Sequence, residues 1–342
     1  MDAPQRSTPR AGGSGRNSPP GPARPALRSW AGFTGARLNQ LVIYGGFLVI
    51  FAAFTIILRD DGFATPSNLL NIVQQTAPVT VMAVGAVFVL TAGEIDLSIG
   101  SIVAVAALVA AMALREGAWP VGVFAGLAAG LAIGALNGAL VAYARLPSFL
   151  VTLATMGVFA GIARRLTDLK SVPIENDIFN RFFGSGSLFG VPSLFWWTLA
   201  ATAIGYYGLA ETRFGAHTLA TGDNPRAARA TGIEVPRLRF VVMTISGGLA
   251  ALAGLLYAGR LNGARYTLGE GDLLTVIAAV IVGGTRLNGG EGSILGALIG
   301  SWLMGMLNNG LILMGYDPSD QMIARGLIIL VAVALTLREG DR

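Results

Sequence analysis

The residues with the most chemical potential in this chain are two carboxylates set between long apolar runs. In Thr91-Ala92-Gly93-Glu94-Ile95-Asp96-Leu97-Ser98-Ile99-Gly100-Ser101, Glu94 and Asp96 stand one residue apart. Burying an ionised group in such surroundings costs several kcal/mol unless water or a partner meets it. Two compatible uses follow. Glu94, Asp96 and Ser98 can form a polar element beside a solute path, or Asp96 or Ser98 can cap the helix that follows, where the dipole favours a carboxylate. Glu94 and Asp96 could also relay protons, which would make the chain a proton-coupled carrier of a small polar solute.

Covalent chemistry has little to work with. There is no cysteine and one histidine, His217, so thiolate nucleophiles and thiolate metal sites are excluded. No Walker-type phosphate loop, Gly-x-Ser-x-Gly elbow or His-rich metal motif occurs. The expectation is a protein without catalytic residues, resident metal or cofactor. If ATP drives it, ATP and Mg2+ are bound by another subunit.

Neutral amides form a second set of candidates for a solute path: Asn71, Gln74 and Gln75 in Asn68-Leu69-Leu70-Asn71-Ile72-Val73-Gln74-Gln75-Thr76, Asn137, and Asn308 beside Asn309. In an apolar helix an amide bonds neighbouring backbone, another helix or a hydroxyl-bearing solute. Asn137 adjoins Gly126, Gly130, Gly134 and Gly138, a stripe at i+4 spacing that lets another helix approach closely. Arg325 is placed to snorkel or to pair with Asp317 or Asp320.

The stretch 212–239 reads differently. Within Gly222-Asp223-Asn224-Pro225-Arg226-Ala227-Ala228-Arg229-Ala230-Thr231-Gly232, Asp223 or Asn224 can cap, Pro225 suits the first helical position and Gly232 can end the helix. A short, capped helix bearing Arg226 and Arg229 is either a docking element or a solvated connector.

The elements that must position these residues are membrane spans. Of 342 residues 53% are hydrophobic and 13% charged, with mean hydropathy +0.63, against about 45–50% and about 25% in soluble domains. With about 20 apolar residues needed per crossing, the chain offers about ten spans, near 38–58, 69–91, 98–114, 120–143, 148–163, 193–210, 240–258, 272–285, 293–314 and 321–337. The fold expected is all-α and polytopic. The segments 148–163 and 272–285 are short enough for unwound or partly inserted backbone.

Residues 1–37, rich in Pro, Gly, Ser and Arg with no early apolar run, are expected to be a disordered tail and not a cleaved leader. A single transmembrane domain is expected over 38–342. A cytoplasmic tail puts Arg145, the Arg residues of 212–239, Arg286, Arg338 and Arg342 on the same side, and the alternate side receives Arg59, Arg115, Arg164, Arg165, Lys170, Arg181, Arg260 and Arg265. The excess of short-loop positive charge then lies inside, as in most membrane proteins. Both termini are expected in the cytoplasm and the loop 164–192 outside. The formal charge of +5 is topology, not a nucleic-acid footprint. Thr80–Ser101 and Thr275–Ser293 show a similar span, Gly-rich turn and second span, a hint of repeat ancestry.

Five pieces in order now carry a resemblance: Leu-Thr-Ala-Gly-Glu-Ile-Asp-Leu-Ser-Ile-Gly-Ser (90–101), Pro-Ser-Phe-Leu-Val-Thr-Leu (147–153), Gly-Asp-Asn-Pro-Arg-Ala-Ala-Arg (222–229), Ile-Ala-Ala-Val-Ile-Val-Gly-Gly-Thr (277–285) and Leu-Asn-Asn-Gly-Leu (307–311). From about residue 40 to 337 the chain resembles permease subunits of bacterial ribose-type ABC sugar importers, within the group that includes branched-chain amino-acid permeases. The resemblance implies a multi-pass inner-membrane subunit importing a monosaccharide, a ribose- or xylose-like sugar or polyol. It implies a second permease copy or paralogue, a periplasmic or lipid-anchored sugar-binding protein, and an ABC ATPase in which Gly222, Asp223, Asn224, Pro225, Arg226, Arg229 and Gly232 dock. Glu94 stands where that family often has Gly, Leu273-Leu274-Thr275 where it often has Glu-Leu-Asp, and Arg286 and Glu291 are also departures from its usual turn.

Overall fold

The computed structural model describes residues 30–324, 326, 327 and 330. Met1–Leu38 and Asn39–Arg342 form separate units, and the architecture is that of the second. Residues 1–29 of the expected tail and most of the expected last span, 321–337, lie outside the described residues. Helix α1 (Trp30–Ile57) begins before the expected start at residue 38. It is followed by α2 (Pro66–Thr91), α3 (Ile99–Glu116), α4 (Trp119–Ala142), α5 (Ser148–Leu166), α6 (Asp177–Asn180) and α7 (Ser193–Ala210). Then come α8 (Arg213–Asp223), α9 (Pro225–Ala230), α10 (Val235–Leu261), α11 (Asp272–Val282) and α12 (Ile294–Leu313). Helical residues resume at Pro318, where Asp317 Oδ1 accepts the N–H groups of Ser319 and Asp320 at 2.7 and 3.1 Å. Those two bonds hold the Asp317 carboxyl below its ordinary range.

Among the described residues α2, α3, α4, α5, α10 and α12 are long and apolar enough to cross a membrane, while Tyr44–Ile57 of α1 and the whole of α11 are apolar but shorter. The chain is a helical, polytopic membrane protein. Segment 148–163, expected to be short, is a full 19-residue helix ending at Leu166. Segment 272–285 stops at Val282 after 11 residues, about 16 Å of a core about 30 Å thick. The preceding chain makes up the distance. It turns at Asn262 and runs back along α3, so that an added Cβ at Gly269 would lie 2.8 Å from Gly100 O in the first turn of that helix. Irregular backbone at this depth is tolerated because protein surrounds it.

The loop 164–192 is folded, with α6 running into a π turn (Arg181–Ser185). Two small ladders depart from the all-α expectation. Strand β1 (Val172–Pro173) pairs antiparallel with β4 (Gly263–Ala264), and β2 (Ser187–Leu188) pairs with β3 (Val191–Pro192).

Helix α2 is the centre: 83% of its apolar window is buried inside the protein, against 22% for α5. Its hydroxyls bond internally, Thr76 to Ile72 O and Thr80 to Thr76 O, and Thr80 also meets Ser301 of α12 at 2.6 Å. Asn68 and Asn309 exchange two amide hydrogen bonds of 2.9 Å each. The glycine stripe of α4 is the seam with α10 and α3. A Cβ added at Gly134 would lie 2.6 Å from Met243 O, and one at Gly126 would lie 2.9 Å from Ala106 O. Backbone in direct contact is how helices associate where lipid supplies no hydrophobic drive.

The two similar stretches end their first helix identically. After α2, Gly93 (φ 77°) donates to Leu90 O at 2.9 Å and Glu94 to Val89 O at 3.0 Å; after α11, Gly284 (φ 87°) donates to Ile281 O at 2.9 Å and Thr285 to Val280 O at 3.1 Å. Both are Schellman closures, in which only glycine enters the left-handed region without strain.

Gly134→Leu is expected to lose about 1–3 kcal/mol or more by overpacking this seam. Gly157→Leu on α5, where an added Cβ meets nothing within 4 Å, should be near neutral. Thermal unfolding of the detergent-purified variants measures the difference.

Candidate functional site

The turn between α2 and α3, residues 92–98, is fastened to three other helices. Glu94 is buried and its Oε1 lies 2.6 Å from Arg239 Nε in the second turn of α10. Asp96 is buried too: Oδ1 accepts from Ser98 N (2.9 Å) and Ser98 Oγ (2.6 Å), and Oδ2 from Ser246 Oγ (2.8 Å). Arg239 and Ser246 are seven residues apart on α10, two turns along one face, so the two carboxylates are read by one helix. Asn137 Nδ2 of α4 donates to Ser98 Oγ at 2.8 Å. On α5, Ser148 Oγ accepts from Ile95 N at 3.1 Å and Thr152 Oγ1 donates to Ile95 O at 3.2 Å.

The cap expected of Asp96 or Ser98 is not formed. Ser98 occupies the N-cap position of α3, but its backbone is already helical (φ −81°, ψ −7°) and its side chain bonds no helix N–H. The hydroxyl is donated to Asp96 instead, and the Asp96 carboxylate takes Ser98 N, ahead of the first turn. Asp96 also lines an otherwise apolar cavity of about 210 Å³ walled by Val89, Leu90, Phe149 and Ile277.

Against this turn packs the segment 211–234. Thr212 caps α8 through Gly215 N, a helix the sequence reading left unassigned. Asn224 caps α9, its Oδ1 accepting from Arg226 N and Ala227 N at 3.1 Å each. Gly232 (φ 89°) closes α9 with Gly232 N to Arg229 O (3.0 Å) and Ile233 N to Ala228 O (3.1 Å). Ala228 is buried, while Asp223, Asn224, Arg226 and Arg229 are exposed and Pro225 is half-buried. Gly222 seats this segment, since a side chain there would run into Thr91 O, itself the acceptor for Gly290 N at 3.0 Å. Gly93, Gly222 and Gly289 meet backbone to backbone, so the 211–234 segment touches both repeat-related turns at once.

The family departures now have partners. Glu94 meets Arg239, and Arg286 and Glu291 meet each other at 2.9 Å, closing the α11–α12 turn. Leu273-Leu274-Thr275 lie in the first turn of α11.

The candidate residues separate into two groups. Glu94, Asp96, Ser98 and Asn137 come together. Asn71, Gln74 and Gln75 lie half-buried toward the other end of α2, with Gln75 Nε2 bonded to Asn71 Oδ1 at 3.2 Å; Gln75 to Thr91 is about 24 Å along the helix. Asn308 sits on α12 between Gly305, which abuts Thr76, and Asn309, which pairs with Asn68. Sequence reasoning missed Arg239, Ser246, Ser148 and Thr152. Ser148 and Thr152, spaced i, i+4 within the 147–153 motif, carried the readable signal. Among the described residues no group of His, Cys, Asp or Glu is placed to hold a metal ion.

Residues 68–333 match the family of permease components of the branched-chain amino acid transport system. The chain belongs to that family. It is 40% identical over 306 residues to the ribose import permease protein of Escherichia coli strain K12, covering 88% of this chain and 94% of that one. The Bacillus subtilis ribose import permease protein is 38% identical over 299 residues (86% and 93%), and the E. coli L-arabinose transport system permease protein 36% over 292 (84% and 88%). No solved structure matches. Matches of this extent make the chain a ribose-type ABC permease, a multi-pass protein of the inner membrane.

Glu94→Gln is expected to cost ~1–3 kcal/mol by leaving the Arg239 guanidinium short of its partner. Adding Arg239→Gln should cost less than the sum of the two single changes. A double-mutant cycle on thermal unfolding isolates the coupling.

Proposed function

We propose that this chain is the membrane-spanning, non-catalytic subunit of an ATP-driven importer that passes a monosaccharide, a ribose- or xylose-like sugar or polyol, into the cytoplasm by alternating access. The observation that carries the reading is the seating of the 211–234 segment: a capped basic helix, exposed through Arg226 and Arg229, joined by Gly222 to the turns after α2 and α11. A push on α9 is thereby delivered to the polar hub that ties α3, α4, α5 and α10 together. The printed names of the relatives, ribose and L-arabinose permeases, support the substrate class.

In this reading about ten helices cross per subunit, with both termini and the 212–239 loop in the cytoplasm. Two permease copies, or this chain and a paralogue, form the path. A periplasmic or lipid-anchored binding protein delivers the sugar on the 164–192 side, and an ABC ATPase with its Mg2+ and ATP receives Gly222, Asp223, Asn224, Pro225, Arg226, Arg229 and Gly232. The amides Asn71, Gln74, Gln75 and Asn308 supply donors and acceptors for sugar hydroxyls along the path. Glu94, Asp96, Ser98 and Asn137 form its cytoplasmic boundary, where a pinned turn can shift as a unit.

Proteoliposome uptake tests this. Transport is expected only with ATP, the ATPase and the binding protein; uptake by this chain alone, driven by a pH gradient and indifferent to ATP, refutes it.

Arg226→Glu with Arg229→Glu reverses two exposed charges without touching the buried seat of α9. Losing a contact of about 1.4 kcal/mol or more should weaken ATPase association about tenfold or more, read as pull-down and as lost uptake. Unaltered uptake rules out the docking assignment. Gly222 is a poorer probe, because any side chain there collides with Thr91 O.

A further inference from the structure

The segment between α5 and α7 holds a feature that internal packing does not explain. Its β2–β3 hairpin turns through Phe189 and Gly190, with φ of 54° and 76°, the two positive values of a type I′ turn, where Asn-Gly is the favoured pair. A phenylalanine in the left-handed region is strained, and Phe189 is also 89% exposed. In water this residue is unfavourable twice over, by conformation and by exposure, although a small polar residue would suit the turn better.

The surroundings show what phase removes the second cost. Trp196 Nε1 approaches Leu188 O at 3.4 Å, tying the hairpin to the first turn of α7. Trp196 begins an exposed stripe on that helix, which continues through Leu199, Ile204 and Tyr207, three, eight and eleven residues on, close to whole turns of an α-helix. The sequence predicts a span at 193–210, and an exposed apolar stripe on a spanning helix is the side that meets lipid. Through Trp196 the hairpin is joined to the first turn of that stripe. Aromatic rings gather beside it, the residue types enriched at membrane interfaces: Trp119 at the start of α4 and Trp197 at the start of α7 lie 6.2 and 5.5 Å, by ring centroids, from Phe182, and Trp197 Nε1 donates to Phe182 O at 3.0 Å.

We infer that the Leu188–Phe189 hairpin tip is a membrane anchor: the ring inserts among lipid chains at the interface beside α7 and holds the 172–192 segment against the bilayer. The occupant is lipid because the exposed Leu188 and Phe189 adjoin the apolar stripe of α7 at Trp196, and the carbonyl of Leu188 is turned to the Trp196 indole. The inference is independent of the solute carried and of which side the segment faces.

The chain has no cysteine, so Phe189→Cys provides one attachment site for a nitroxide in otherwise unaltered protein, reconstituted in vesicles of phosphatidylethanolamine and phosphatidylglycerol. Power-saturation spectroscopy with oxygen, which concentrates in lipid, and nickel ethylenediaminediacetate, which stays in water, reads the surroundings. Asp168→Cys and, on α5, Val158→Cys give the water and lipid reference values. The expected result is an oxygen-to-nickel accessibility ratio several-fold above the Asp168 value and near that of Val158. A ratio matching Asp168 overturns the anchor in favour of a solvated tip. Low access to both reagents overturns it in favour of protein contact, with a second copy if the label shows dipolar broadening and with a soluble partner if shielding requires its addition. Leu188→Cys repeats the measurement should the Phe189 variant fail to fold, and the same ratios decide.

Discussion

Everything at the α8–α9 end of this molecule depends on keeping two carboxylates away from lipid. Glu94 and Asp96 sit in a seven-residue turn, and each depends on a group that another helix brings to it. Arg239 supplies the charge opposite Glu94, at 2.6 Å, and Ser246 and Ser98 supply hydroxyl donors to Asp96. Because an uncompensated buried charge is so costly, α10 has little freedom to slide relative to this turn. The same constraint propagates through Ser98 to Asn137 and through Ile95 to Ser148 and Thr152. A polar hub inside an apolar bundle thus sets helix positions that apolar packing alone would leave adjustable.

Glycine does the complementary work. Where polar groups fix direction, contacts such as Gly134 against Met243 O and Gly126 against Ala106 O let backbones close in. Gly93, Gly222 and Gly289 place the 211–234 segment against two turns that close in the same hydrogen-bonded way. An element meant to transmit movement gains from such contacts, since backbone against backbone has no side-chain rotamers to absorb displacement.

The helices were legible in the sequence because each needs about 20 apolar residues and leaves an unbroken run of them. Gly222–Gly232 was legible for another reason: Asn224, Pro225 and Gly232 act on their own neighbours, and capping is a local interaction. Legibility failed where a partner is distant in the chain. The expected cap by Asp96 or Ser98 was a fair local reading of a carboxylate before a helix, yet Ser246, 150 residues on, and Asn137 captured those groups. The shortness of 272–285 was visible. The return of 262–271 along α3, which compensates for it, was not, because it rests on Gly269 fitting against Gly100.

By itself the sequence determined that the chain is a helical membrane protein, roughly where the main described helices lie, and that α9 is a capped basic helix, since hydropathy and capping are properties of contiguous residues. Tertiary structure alone decided that Glu94 belongs to Arg239 and Asp96 to Ser246, and that the amides of α2 and the carboxylates of its following turn form two groups and not one. It also decided that Phe189 stands exposed at the tip of the β2–β3 hairpin. Those facts depend on which helix faces which, and pairing between residues far apart in the chain leaves no periodic or local trace to read.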